Sequence, residues 1–171
     1  GQQVGLLAEQ LGLDVIFYDV LKKLPLGRAK PVDTMAELLK KADFVSFHVP
    51  GGKENENIVT EKELSMMKEG AYLINHSRGK VVDIPALKAA LDEGKIAGAA
   101  LDVFPKEPTS ADETFESELK GMPNVILSPH IGGSTEEAQR NIGREVAHAL
   151  INYIDNGSTA VSYTHLTLPT I

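Results

Sequence analysis

Short, almost continuously apolar runs alternate with helix-period segments along this chain, and that alternation constrains the fold more than any other feature. Residues 14–18 (DVIFY), 44–49 (FVSFHV), 71–75 (AYLIN), 96–102 (IAGAALD) and 125–127 (VIL) are strand-like. Their apolar residues run together instead of alternating, the pattern of parallel strands covered on both faces. Helix starts lie between them. Val4, Leu7, Ala8 and Leu11 share one helix face at the beginning of the chain. Thr34-x-x-Glu37 and Thr60-x-x-Glu63 are capping boxes, the second opening a short helix that ends near Gly70. Asp83 caps a helix with Pro85 in its first turn, running through Leu87 and Leu91 to Gly94. Ser134-x-x-Glu137 starts a long helix to about Asn156, with Ala138, Ile142, Val146, Ala149 and Leu150 on one stripe. The pattern predicts an α/β domain built on a doubly wound parallel sheet.

Composition narrows the chemistry. The 171 residues suit one domain with a short appendage, and 42% hydrophobic content supports a real core. Without Cys there are no disulfides, thiolate metal sites or Cys nucleophile. A net charge of −7 argues against non-specific nucleic-acid binding, which needs a basic surface. No apolar run reaches the roughly 18–20 residues of a membrane span. The opening GQQVGLLAEQLG has no basic n-region and is not read as a signal peptide. A cytoplasmic location is the expectation. The first helix starts without a cap or preceding turn, so the chain reads as cut there. Residues 159–171 read as a tail foreign to the native protein; the alternative is a genuine terminal strand.

A dinucleotide fold rests its pyrophosphate on a Gly-rich turn at a helix N-terminus, with an acidic residue for the ribose about 20 residues on. Gly1 opens a helix, and Asp19 follows the next strand at that range. The geometry fits if Gly1 is the last glycine of that fingerprint. An Asp in this place accepts the ribose hydroxyls and repels a 2′-phosphate, which favours NAD over NADP. The structural alternative is a plain turn residue. Lys22, Lys23 and Arg28 nearby read as a solvated basic loop.

Three side chains past strand ends suggest catalysis. Arg78 lies in NHSRG, Glu107 in FPKEP and His130 in SPHIGG. Ligands bind outside the carboxyl ends of strands in open α/β sheets. An imidazole suits removal of a hydroxyl proton near neutral pH. A carboxylate on its far nitrogen fixes the tautomer, and a guanidinium grips a substrate carboxylate. The structural alternative puts Arg78 in a surface salt bridge, leaves Glu107 solvated and makes His130 a turn residue. His48 ends a strand, where a cofactor-lining and a structural role are both open. His148 reads as a helix residue without chemistry, and His165 falls in the tail.

The segments GLLAEQLGLDVIFYD, VSFHVP, LINHSRGKVVDIPAL, IAGAALDVFPKEP and NVILSPHIGGSTEEAQ together resemble the D-isomer-specific 2-hydroxyacid dehydrogenases. They occur in family order over most of residues 1–156. The resemblance implies a Rossmann-like NAD-binding domain over residues 1–133 that lacks its first strand and most of the phosphate loop. Residues 134–158 then form a helix leading toward the hinge and substrate domain, followed by the tail at 159–171. It implies that Arg78, Glu107 and His130 are catalytic and that Gly1 and Asp19 bind the cofactor. By the same resemblance Asp102 lies by the nicotinamide carboxamide, and His76, Ser77 and Arg78 with His130, Ile131, Gly132 and Gly133 line the cofactor. No metal is implied. The expected substrate is a small anionic 2-hydroxy or 2-oxo acid, handled by a homodimer or homotetramer, with neither nucleic acid nor membrane as partner. FYDVLKKLPLG, GGSTEEAQ and DNGST are similar to the bacterial members that oxidise 3-phosphoglycerate in serine biosynthesis. Members acting on glyoxylate or hydroxypyruvate, and NAD(H)-sensing corepressors of the same fold, are the alternatives. His76 stands where the family usually has a small residue.

Overall fold

Helix α1 (Gln2–Gln10) starts at Gly1, whose carbonyl accepts from Gly5 N at 2.9 Å. The computed structural model describes residues 1–108, 110 and 112–158, so the tail expected at 159–171 lies outside the described residues. β1 (Ile16–Phe17) pairs in parallel with β2 (Lys30–Pro31). The second of these strands is a correction to the sequence reading: Lys-Pro carries no apolar signal, and both residues are exposed. Only backbone hydrogen bonding makes it a strand, through Lys30 N to Val15 O at 3.0 Å and Val32 N to Phe17 O at 2.9 Å.

Helix α2 (Met35–Lys41) is capped by Thr34, whose Oγ1 accepts from Glu37 N at 3.1 Å. The Glu37 carboxylate reaches Asp33 N, one residue before the partner a capping box uses. β3 (Phe44–Phe47) and helix α3 (Glu61–Met66) follow. Glu63 folds back to accept from Thr60 N at 3.1 Å and Thr60 Oγ1 at 2.5 Å. α3 stops at Met66, four residues before the glycine expected to end it. β4 (Ala71–Asn75), helix α4 (Ile84–Asp92), β5 (Ile96–Leu101) and β6 (Val125–Leu127) complete this part. Asp83 caps α4 by accepting from Ala86 N at 3.3 Å.

The last four strands form one all-parallel sheet in the order β3-β4-β5-β6, and β1-β2 is a separate two-stranded sheet. Every step across the larger sheet is a parallel crossover in the same direction. Right-handed crossovers therefore put α3 and α4 on one face. Val45, Phe47, Leu73, Ala99 and Leu101 point to that face and are buried with Leu39, Leu64 and Leu87 of the helices. The register places Phe44, Tyr72, Gly98 and Ile126 on the other face. There Phe44, Tyr72 and Ile126 are exposed, where the apolar runs predict cover on both faces. Phe44 and Tyr72 stack on each other with centroids 5.0 Å apart.

The described residues divide into two compact units, 1–129 and 130–158. The second contains helix α5 (Glu136–Asn156). Its cap is Thr135, whose Oγ1 accepts from Ala138 N at 3.1 Å, not the Ser134 expected from sequence. Ser134 N is already committed to Ile131 O at 2.9 Å, which closes the preceding turn and moves the helix start on by one residue. Gly157, at φ 68°, ends the helix in the left-handed region. No described helix is long and apolar enough to cross a membrane.

Leu73 is fully buried at the centre of the covered face. We expect Leu73→Ala to lower the unfolding free energy of the whole protein by about 2–5 kcal/mol in urea titration. A cost below about 1 kcal/mol would contradict its place in the core.

Candidate active site

All four strands of the larger sheet run the same way, so the segments leaving their carboxyl ends share one rim. β4 ends in Asn75, a fully buried amide whose hydrogen bonds shape the turn beyond it. Its Oδ1 accepts from Ser77 N at 3.1 Å and Ser77 Oγ at 2.8 Å, and its Nδ2 donates to Arg78 O at 3.0 Å. Its backbone carbonyl accepts from Asp102 N at 3.1 Å, tying the ends of β4 and β5 together. A buried polar side chain satisfied at every atom has one orientation, and so does the turn it holds.

That turn presents Arg78. Its Nη1 donates to Ser77 O at 2.7 Å. Among the described residues it makes no ion pair, so the surface salt bridge of the structural alternative is not what the fold builds. Its side chain lies along Gly51 and lines an open cleft of ≈ 170 Å³ with Pro50, Asn55, Lys80 and Phe104.

Gly79 decides how close the next loop comes. A Cβ there would lie 1.9 Å from Phe104 O and 2.0 Å from its carbonyl carbon, so only glycine fits. The turn carrying Arg78 is thereby packed backbone to backbone against the loop carrying Glu107. In that loop Glu107 Oε1 accepts from Phe104 N at 2.9 Å, which holds the half-buried carboxylate beside the Phe104 backbone. Asp102, at the end of β5, accepts from Ser128 Oγ at 2.7 Å, and Ser128 N donates to Leu101 O at 3.0 Å.

Asp19 lies two residues beyond β1 and accepts from Leu21 N at 2.8 Å through Oδ1. It is a turn residue and a carboxylate at a strand end at once. His48 leaves β3 with its Nε2 2.9 Å from Ser46 Oγ. Burial pushes its imidazole down to about 4, and neighbouring His76 adds to the shift. His48 follows β3 and His76 follows β4, so the two imidazoles leave neighbouring strands at the same rim. His130 belongs to the second unit with Ile131, Gly132 and Gly133, and Gly133 O accepts from Gln139 Nε2 at 2.5 Å. His130 is exposed and holds φ at 50°, a left-handed conformation uncommon for residues other than glycine. No His, Asp and Glu cluster with metal-binding geometry occurs among the described residues.

The first unit thus brings Arg78, Glu107, Asp102, His76 and Ser77 to one rim. Asn75, Gly79 and Ser128 serve that rim and escaped the sequence reading. A polar residue closing an apolar strand and a glycine directly after the arginine are the signals that could have found the first two.

A family model described as D-isomer specific 2-hydroxyacid dehydrogenase, NAD binding domain, matches residues 1–132. The chain belongs to that family. It is 54% identical over 171 residues to a D-3-phosphoglycerate dehydrogenase of Escherichia coli strain K12, covering 99% of this chain and 42% of that protein. A putative D-3-phosphoglycerate dehydrogenase of Schizosaccharomyces pombe is 52% identical over 178 residues, 98% of this chain and 38% of that one. Among solved structures, an NAD-complexed D-isomer specific 2-hydroxyacid dehydrogenase from Lactobacillus delbrueckii ssp. bulgaricus superposes with TM-score 0.79 at 34% identity. That match covers 94% of this chain and 52% of the other. A glyoxylate reductase from Paecilomyes thermophila gives TM-score 0.78 at 34% identity, covering 92% and 47%. The chain spans about two fifths of the length of the curated relatives it matches.

The residues of this NAD-binding domain fit the cofactor. Among the described residues no side chain caps α1 at Gly1, and the N–H groups of a helix's first turn suit a phosphate. Asp19 stands at the end of β1, and Asp102 at the end of β5.

Three outcomes follow for the whole protein. Gly79→Ala overpacks a backbone contact and lowers stability by about 1–3 kcal/mol in urea. Gly132→Ala, with open space around the new Cβ, changes it by less than about 0.5 kcal/mol. The fold holds His48 neutral, so its contribution is complete above pH 6.5 and is lost as pH falls from 6.5 toward 4. After allowance for solvent screening of a partly exposed ring, that loss is about 1–2 kcal/mol. Urea titrations across this window, with His48→Gln as the flattened reference, measure it.

Proposed function

We propose that the whole protein oxidises a D-2-hydroxy acid with NAD, and that the acid is 3-phosphoglycerate, giving 3-phosphohydroxypyruvate for serine biosynthesis. The observation that carries the reading is the Gly79–Phe104 contact, which locks the turn of an unpaired-carboxylate binder, Arg78, against the loop of Glu107 at the rim of a parallel sheet. The names of the relatives at 52–54% identity support the substrate.

Bound NAD would supply the hydride acceptor for C2 of the acid. His130 takes the proton of the C2 hydroxyl, so that C–H and O–H bonds break as the carbonyl forms. Glu107 accepts a hydrogen bond from the far ring nitrogen and stabilises the imidazolium. Arg78 grips the substrate carboxylate and, in the reverse direction, polarises the carbonyl. The left-handed backbone of His130 supports a functional role, because such strain costs of order 1–3 kcal/mol and collects at working sites. Gly1, Asp19, His76, Ser77, Asp102, Ile131, Gly132 and Gly133 hold the cofactor in this reading. Residues 1–133 act as its NAD-binding domain and 134–158 as the helix toward the substrate domain. The whole protein is a cytoplasmic homodimer or homotetramer.

The test follows NADH consumption by the whole protein with 3-phosphohydroxypyruvate, glyoxylate and hydroxypyruvate. We expect preference for the phosphorylated acid. His130→Ala should lower kcat/KM by about 100- to 10,000-fold, and Arg78→Lys should raise KM by about 10-fold. Preference for an unphosphorylated acid keeps the mechanism and overturns the substrate. NADH binding without turnover overturns the enzyme in favour of an NAD(H) sensor.

A further inference from the structure

Phe104 is held at three points. Its carbonyl packs on Gly79, its N–H is given to Glu107 Oε1 at 2.9 Å, and its ring meets Phe115 edge-on with centroids 4.6 Å apart at 61°. The first two points belong to the rim of the candidate site. The third comes from the far part of the long acidic loop that follows β5, a segment to which the motif reading gives no role. That segment is itself anchored. Phe115 packs against the core, its carbonyl accepts from Lys120 Nζ at 3.3 Å, and Leu119 is fully buried with its N–H on Ser117 Oγ at 3.3 Å.

We propose that Phe115 is a positioning residue for the Glu107 carboxylate, acting through Phe104. Glu107 is oriented by a backbone N–H, and a backbone N–H points where its residue is held. Gly79 limits how far Phe104 moves toward Arg78, but a glycine makes no attractive side-chain contact. The ring of Phe115 supplies the opposing hold, because an edge-to-face aromatic pair has a preferred geometry that an aliphatic side chain lacks. The loop after β5 thereby sets the geometry of the carboxylate from outside the site.

This inference rests on the role given to Glu107 above. Its test uses steady-state kinetics and pH profiles of the whole protein with Phe115→Leu and Phe115→Met, which keep apolar bulk but lose the ring edge, and Phe115→Tyr, which keeps it. We expect the first two to lower kcat by roughly 10-fold while KM changes less than about twofold. We expect the limb of the pH profile set by the acid–base imidazole to fall by roughly half a unit, since a poorly aimed carboxylate supports the imidazolium less. Phe115→Tyr should restore both. Leu119→Ala, a buried residue of the same loop, should lower Tm and leave the limb in place. If Phe115→Leu and Phe115→Met only lower Tm, like Leu119→Ala, or if Phe115→Tyr fails to rescue, the positioning role is wrong. Glu107→Gln separates the two levels. A limb that it does not move overturns the role of Glu107 and this inference with it. A limb moved by Glu107→Gln but not by Phe115→Leu overturns this inference alone.

Discussion

The backbone of Gly79 lies so close to the carbonyl of Phe104 that no side chain fits between them, and the geometry of the rim depends on that contact. It sets the spacing between the turn after β4 and the loop after β5. Those two segments carry the cation and the carboxylate. Closeness of this kind costs conformational freedom at the glycine in the unfolded chain. What it gains is a separation defined by two backbones, which are stiffer than any pair of side chains.

Around that contact the supporting interactions are polar and buried or part-buried. Asn75 uses its amide to hold Ser77 and Arg78, and its carbonyl to hold Asp102. Ser128 ties Asp102 to the next strand end. Three strands that leave the core in parallel are thus stitched at their ends by hydrogen bonds. Each such bond contributes modestly, but leaving any of these buried groups unpaired would cost more than the bond contributes. The apolar core beneath, centred on Leu73, Leu87 and Leu101, provides the rigid base from which the turns project.

Much of the fold was legible in the residues because its causes are local. Thr34, Asp83 and the apolar runs act on their own neighbours, so helix starts and strands appear where spacing puts them. β2 was not legible, since Lys30 and Pro31 become a strand only by bonding the backbone beside Phe17. The cap of α5 moved from Ser134 to Thr135 because Ile131 claims the Ser134 amide, a competition that a capping template does not see. The exposure of Phe44, Tyr72 and Ile126 among the described residues was equally hidden: an apolar run states that a strand wants cover, not which residues supply it.

The candidate site divides along the same line. Arg78, Glu107 and Asp102 were legible as residue types past strand ends, and their order along the chain carried the family resemblance. The sequence by itself determined the helices, the strands of the larger sheet with their parallel direction, and the chemical groups at its rim, because these follow from periodicity and residue type. Only the tertiary structure decided that Arg78 has no ion-pair partner among the described residues, that Glu107 is aimed by the Phe104 amide, and that Gly79 admits the neighbouring loop. It also decided that His48 is held neutral well below the ordinary imidazole range. Each of these depends on atoms brought close by chain segments far apart in order. Distance and burial act through space, and no local pattern encodes them.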